Sequence, residues 1–143
     1  MKKILVINGP NLNMLGVREP EIYGNTGYLD LVKKIEKWAS ELGVEAECLQ
    51  SNHEGEIVDF IQKAYFDKAD AIIINPAAYT HTSIAILDAL KAVNLPAAEV
   101  HISDINEREQ FRHISYAGMA CEAHFIGLGL EGYKKALEYF AEK

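Results

Sequence analysis

The chain has 143 residues, 49 % hydrophobic and 24 % charged, a composition that suits one globular domain with a core of its own. A formal net charge of -7, with no run of Lys or Arg, argues against nucleic acid or an anionic membrane surface as partner. Cys48 and Cys121 are too few for a disulfide framework, and no stretch approaches the ~20 apolar residues of a membrane span. The opening "MKKILVI" has an apolar run too short for the roughly 7–15 residues of a secretion signal, so the expected location is the cytoplasm.

Apolar, β-branched runs alternate with segments of helical period. "KILVI" (3–7) reads as a strand. The next twenty residues, "NGPNLNMLGVREPEIYGNTG" (8–27), carry neither period, although connections beyond about 12–15 residues are uncommon in compact domains and are usually functional or disordered. From Tyr28 the residues Leu31, Val32, Ile35, Trp38, Ala39 and Leu42 fall on one stripe of a helix that Gly43 should end. "VEAECLQ" is a second strand, "GEIVDFIQKAYF" a second helix, and "AIIIN" a strand apolar on both faces. "SIAILDALKAV" predicts a third helix with Thr82 or Ser83 as its cap. "AAEVHI" and "CEAHFIGL" predict two further strands, and a last helix starts near Gly132. The alternation predicts a single α/β domain with a five-stranded, doubly wound parallel sheet and helices on both faces, in a flavodoxin-like arrangement.

In such sheets ligands bind beyond the carboxyl ends of the strands. Here the strands end in Asn8, "SNH", "NPAAYTHTS" and "EVHISD", so polar residues collect at one edge. Glu99 and His101 alternate onto one face of their strand. A carboxylate beside an imidazole fixes its tautomer and favours the imidazolium, as a general acid requires; a structural pair at a strand end fits the same pattern. His81 suits a capping turn or a donor to a ligand, and Asn75 offers a donor and an acceptor or simply starts a turn before Pro76. His53, His113 and His124 have weaker cases, and His124 reads as a satisfied core or edge residue.

Two chemistries lack their residues. No lysine lies where a strand empties into the crevice, which leaves an imine mechanism without its nucleophile. His81, His101 and Glu99 carry no metal-ligand spacing. "GLGLEG" matches a dinucleotide fingerprint literally, but it opens the last unit, with no strand after it and no acidic residue about 20 positions on. Within the long connection, Tyr23 has an ordinary pKa near ~10, so about 0.1 % is ionised at neutral pH. One guanidinium at ~4 Å contributes roughly 4 kcal/mol at an effective dielectric of ~20, equivalent to about three pKa units before desolvation is subtracted. Arg18 could therefore make Tyr23 a usable base, or both could be ordinary surface residues.

"INGPNLNMLGVREPEIYG", "NPAAYTHTS", "EVHISDINEREQFRHISY" and "GLGLEGY", in this order and spacing, resemble the type II 3-dehydroquinate dehydratases over nearly the whole chain. The resemblance implies a flavodoxin-like fold, a homo-oligomer that is a dodecamer of trimers, and removal of water from 3-dehydroquinate through an enolate. It implies no cofactor, metal or imine, and a place in shikimate or quinate metabolism. By matching position, Tyr23 is the implied base, Arg18 lowers its pKa, Asn11 helps hold the water or oxygen that stabilises the enolate, and His101, oriented by Glu99, protonates the departing hydroxyl. Asn75 and the backbone at Ile102 and Ser103 are implied to meet the substrate carboxylate. His81, Arg112 and Asp88 are implied to meet the ring hydroxyls, Asp88 from a neighbouring subunit. The connection from 8 to 27 is then an active-site lid.

"SIAILDALKAV" is apolar on almost every side, with Asp88 and Lys91 its only charges, which points independently to a contact between subunits; a salt bridge within the chain is the alternative for Asp88. The chain departs from the family pattern at Ala77 (usually Gly), Gly27 (usually Thr) and Asn106 (frequently His). If position 77 needs positive φ, alanine there costs strain of order 1 kcal/mol. The rival readings are a flavodoxin-like binding module, a receiver, a flavin protein, or a lyase acting on another cyclic hydroxy-acid. A receiver needs acidic residues where Asn8 and Asn75 stand.

Overall fold

The computed structural model describes residues 1–17 and 26–143. Five strands, β1 (Lys3–Asn8), β2 (Glu45–Gln50), β3 (Ala71–Asn75), β4 (Ala97–His101) and β5 (Ala123–Ile126), form one parallel sheet in the order β2-β1-β3-β4-β5. Four helices connect or follow them: α1 (Tyr28–Leu42), α2 (Glu54–Phe66), α3 (Ile84–Val93) and α4 (Glu131–Ala141). This is the flavodoxin-like order, and the fold is the doubly wound α/β arrangement expected from the alternation. Among the described residues no helix is long and apolar enough to cross a membrane.

Strand alternation divides the core into two layers. Ile4, Val6, Ala71, Ile73, Ala98 and Val100 pack with Leu31, Ile35, Tyr133, Leu137 and Phe140 of α1 and α4. Leu5, Ile7, Ile72, Ile74 and Ala97 pack with Ile57, Ile61, Ile86 and Leu90 of α2 and α3. β1 and β3 are buried at nearly every position because helices cover both their faces. β2 and β5 are the sheet's edges, and β5 is shorter than the sequence suggested.

Helix ends follow the expected chemistry. The Ser83 hydroxyl accepts from the Ile86 amide at 2.9 Å to start α3, and Gly43, with φ 74, ends α1. Gly27 at the start of α1 has no side chain to offer, so only the return half of a capping box exists, the Gly27 amide donating to Asp30 at 3.3 Å.

The long connection begins later than expected. Asn8 is the last residue of β1, and Leu12 and Leu15 beyond it are buried in the α1/α4 layer. A short 3-10 turn at Leu12–Met14 brings both leucines inward, which the polar residues around them concealed. Gly9 is fixed by close approach: a Cβ there would fall 2.4 Å from the Pro76 carbonyl oxygen, while its amide donates to the Asn75 carbonyl at 2.8 Å. Arg18 and Tyr23 lie outside the described residues.

Ala77 has φ 53, the left-handed conformation that favours glycine. Ala77→Gly relieves roughly 1–2 kcal/mol of that strain against roughly 0.4–1 kcal/mol of added unfolded-chain entropy, so a net gain of about 0.5–1 kcal/mol is expected. A urea midpoint unchanged or lowered by the substitution would contradict this.

Candidate active site

The carboxyl edge of the sheet opens into a cleft of about 490 Å³, counted out to its solvent mouth. Three connections wall it. Pro10, Asn11 and Leu12 follow β1; Asn75, Ala77, Ala78 and His81 follow β3; His101, Ile102, Ser103, Ile105, Arg108 and Arg112 come with β4 and its exit. Of the residues singled out in the sequence, Asn11, Asn75, His81, His101, Ile102, Ser103 and Arg112 are thus brought together. Asp88 is not among the cleft's lining: it sits exposed on α3 and makes no ion pair among the described residues, so the alternative of an intrachain salt bridge finds no support there.

Glu99 stands behind His101, only 2 % exposed. An unpaired carboxylate so placed would be costly, and three donors satisfy it. His101 Nε2 lies 2.8 Å from Oε2, the Ser115 hydroxyl donates to Oε2 at 2.6 Å, and His124 Nδ1 lies 2.5 Å from Oε1. Burial pushes the Glu99 carboxyl up, but the hydrogen bonds from His101, Ser115 and His124 and the charge of His101 outweigh it and hold the group down at about 2. Glu99 is therefore an anion at neutral pH. It faces His101 with a fixed negative charge and leaves Nδ1 as the ring nitrogen available to the cleft.

His81 is held by its Nδ1, which lies 2.8 Å from the Ile114 carbonyl and so carries the proton that it donates. Burial lowers its pKa; the Ile114 bond opposes this, while the charges of His101, Arg112 and Arg108 lower it further. His81 is consequently a neutral imidazole at pH 7, suited to polar recognition.

Asn75 is fixed from below. Its Nδ2 donates to the Tyr133 hydroxyl at 2.9 Å, and its Oδ1 accepts from the Ala77 amide at 3.2 Å. Tyr133, fully buried, donates its hydroxyl hydrogen bond to Asn8 Oδ1 at 2.6 Å. One Nδ2 hydrogen of Asn75 remains for the cleft. At the root of the long connection, the Asn11 amide donates to Asn52 Oδ1 at 3.0 Å, and Gln50 donates to the Gly9 carbonyl at 3.1 Å. The glycine-rich "GLGLEG" segment serves a local purpose. The amides of Gly127 and Gly129 donate to the carbonyls of His101 and Ile102, each at 3.0 Å, and so brace the exit of β4.

Arg108 carries no signal in the sequence that marks it out. It lines the cleft with Arg112, and its Nη1 donates to the Ser103 hydroxyl at 3.4 Å. In "NEREQ" it looks like one charge in a solvated run. His124 is a satisfied edge residue, as the sequence suggested: it lies on edge strand β5 and is bonded to Glu99, a partner that no local pattern displays.

The site is thus a cleft at the carboxyl edge of a flavodoxin-like sheet, built around a buried carboxylate–imidazole pair and flanked by two arginines. The family described as Dehydroquinase class II matches residues 2–141. A curated 3-dehydroquinate dehydratase of Caldicellulosiruptor bescii is 61 % identical, over 96 % of this chain and 94 % of the relative. One from Clostridium perfringens is 54 % identical, over 99 % and 98 %. The crystal structure of a type II dehydroquinase from Butyrivibrio crossotus superposes with a TM-score of 0.96 at 53 % identity, covering 99 % of this chain and 98 % of that one. The chain belongs to the class II dehydroquinase family and is an enzyme, a hydro-lyase.

Because the Glu99 carboxyl titrates near 2 in the fold and at its ordinary 4.5 when unfolded, the unfolded chain binds this proton first as pH falls. The stabilisation is complete above 4.5 and disappears as pH drops through about 2. Glu99→Gln should be less stable at neutral pH and show a shallower loss of stability across that window in acid-denaturation curves. A wild-type slope retained in the variant would contradict the assignment.

Proposed function

We propose that this chain eliminates water from 3-dehydroquinate to give 3-dehydroshikimate through an enolate, with Tyr23 as tyrosinate base and His101 as general acid. The observation that carries the reading is the His101–Glu99 pair, buried at the wall of a cleft that also presents Asn75, Ser103, Arg108 and Arg112. In a protein of net charge -7, two arginines at one cleft favour an anionic ligand, and the substrate is a carboxylate.

In the proposed sequence, Tyr23, its pKa lowered by Arg18, takes the proton from the carbon next to the ketone. The electron pair moves to the carbonyl oxygen, where Asn11 helps hold the water or oxygen that stabilises the enolate. The enolate then reforms the ketone as the carbon–oxygen bond to the hydroxyl breaks, and His101 protonates that oxygen so that water leaves. Glu99 keeps the imidazolium favourable until then. Asn75 and the backbone at Ile102 and Ser103 hold the substrate carboxylate, while His81 and Arg112 meet ring hydroxyls. The connection ending at Gly27 acts as a lid that shuts out water. The same elimination serves aromatic biosynthesis or quinate breakdown, in the cytoplasm.

The active form in this reading is a homo-oligomer, a dodecamer of trimers, in which Asp88 reaches a neighbouring subunit's site. Its support is the outer surface of α3 and the loops beside it, where Ile84, Phe111, Ile114 and Met119 are each more than half exposed. Apolar side chains grouped in this way mark an interaction surface.

Enone absorbance should grow when the protein meets 3-dehydroquinate, and neither chelator nor borohydride should abolish it. Tyr23→Phe should lower kcat by about 10²-fold or more with KM within a few-fold, and a variant retaining most activity would sink the base assignment. If sites are shared, mixing Asp88→Ala and Tyr23→Phe chains should restore activity that neither has alone. Mixtures no better than their parents would exclude a shared site.

A further inference from the structure

His124 stands in register with Glu99 across the β4–β5 pair, so the two side chains leave the same face of the sheet. The cradle around the Glu99 carboxylate is asymmetric. Oε2 is shared by His101 and Ser115, and Ser115 is itself set by the Gly118 amide donating to its hydroxyl at 3.0 Å. Oε1 meets His124 and, on its other side, Gly118, whose missing side chain leaves the room the oxygen occupies: a Cβ there would lie 2.4 Å from it. We propose that His124 is a positioning residue for the proton donor, fixing Glu99 from the far side so that its second oxygen is held on His101. The inference rests on the reading of His101 as the acid.

Two physical effects follow from the geometry. A carboxylate anchored at one oxygen alone can swing about its last torsion, whereas donors on both oxygens hold it in one plane. The negative charge is also divided. The share drawn by His124 is withheld from His101. Among the described residues, the titratable and charged groups about this pair include His81 on the cleft side, Arg108 and Arg112 lining the same cleft, and Cys121 behind Glu99. Among the described residues, His124 is the hydrogen-bond donor at Oε1. His124 has a side chain 45 % exposed on an edge strand, against 3 % for Glu99, so its bond to Glu99 accounts for more of its role than its packing does.

The test is kinetic and spectroscopic. His124→Ala should lower kcat about tenfold with KM within about twofold, a part of the ~10²–10⁴ that a well-placed acid supplies. The His101 titration, followed by NMR of isotope-labelled histidine, should move to higher pH. In His124→Asn, whose Nδ2 takes the place of the imidazole Nδ1, kcat should stay within about threefold of the parent, since the donor is kept. Unchanged kcat and an unmoved His101 titration in His124→Ala would overturn the proposal. So would equal losses in both variants with that titration unmoved. His101→Asn separates this inference from the reading beneath it. Activity surviving in His101→Asn sinks the acid assignment, whereas its collapse there beside full activity in His124→Ala sinks the positioning role alone.

Discussion

A parallel sheet covered on both faces gives polar side chains very few places to stand. In β1 and β3 nearly every position is claimed by one of two apolar layers, and hydrogen-bonding residues enter only where the strands run out, at Asn8 and Asn75. That constraint concentrates the chemistry at the carboxyl edge. It also brings three connections, distant in sequence, to one cleft. The link between them is backbone contact: Gly9 lies so close to Pro76 that the exits of β1 and β3 behave as one support.

Glu99 is the exception, a charge placed inside the sheet. Its cost is offset by concentrating donors on it from three elements: His101 on its own strand, His124 on the neighbouring strand and Ser115 on the crossing loop. The arrangement converts a burial penalty into orientation, because the carboxylate that those donors satisfy also selects the tautomer of the His101 imidazole. Asn75 is treated similarly. Its amide is spent half on Tyr133 and Ala77, and the remaining Nδ2 hydrogen is left at the cleft that Asn75 lines. Preorganisation of this sort keeps the site's dipoles from having to reorganise as charge moves.

The periods carried by the sequence were enough for the fold. Leu31, Ile35 and Ala39 mark α1 by helical spacing, and "AIIIN" marks a doubly covered strand, so element types and order were legible, with ends displaced by a residue or two. Short 3-10 turns were not, since three to five residues are too few to show a period. Leu12 and Leu15 were hidden for the same reason. Pairing across the chain is a different kind of information. Tyr133 lies 125 positions from Asn8, and His124 finds Glu99 only through the β4–β5 register, which no local pattern displays. Arg108 shows the limit for charges: composition cannot distinguish a solvated arginine from one turned towards a cleft.

The two edges of the sheet carry a consequence for how copies of this chain can meet. β5 contributes only four residues and turns at once into left-handed glycines, so it offers little backbone for another strand to extend. β2 carries exposed Glu45 at the start of its border, next to Glu47, which is paired with Lys63 at 3.3 Å, and a second copy aligned there would bring the Glu45 charges together. Growth by adding strand to strand is therefore disfavoured at both margins. Any assembly is directed to helix faces and loops, where closed, finite particles can form in place of open fibres.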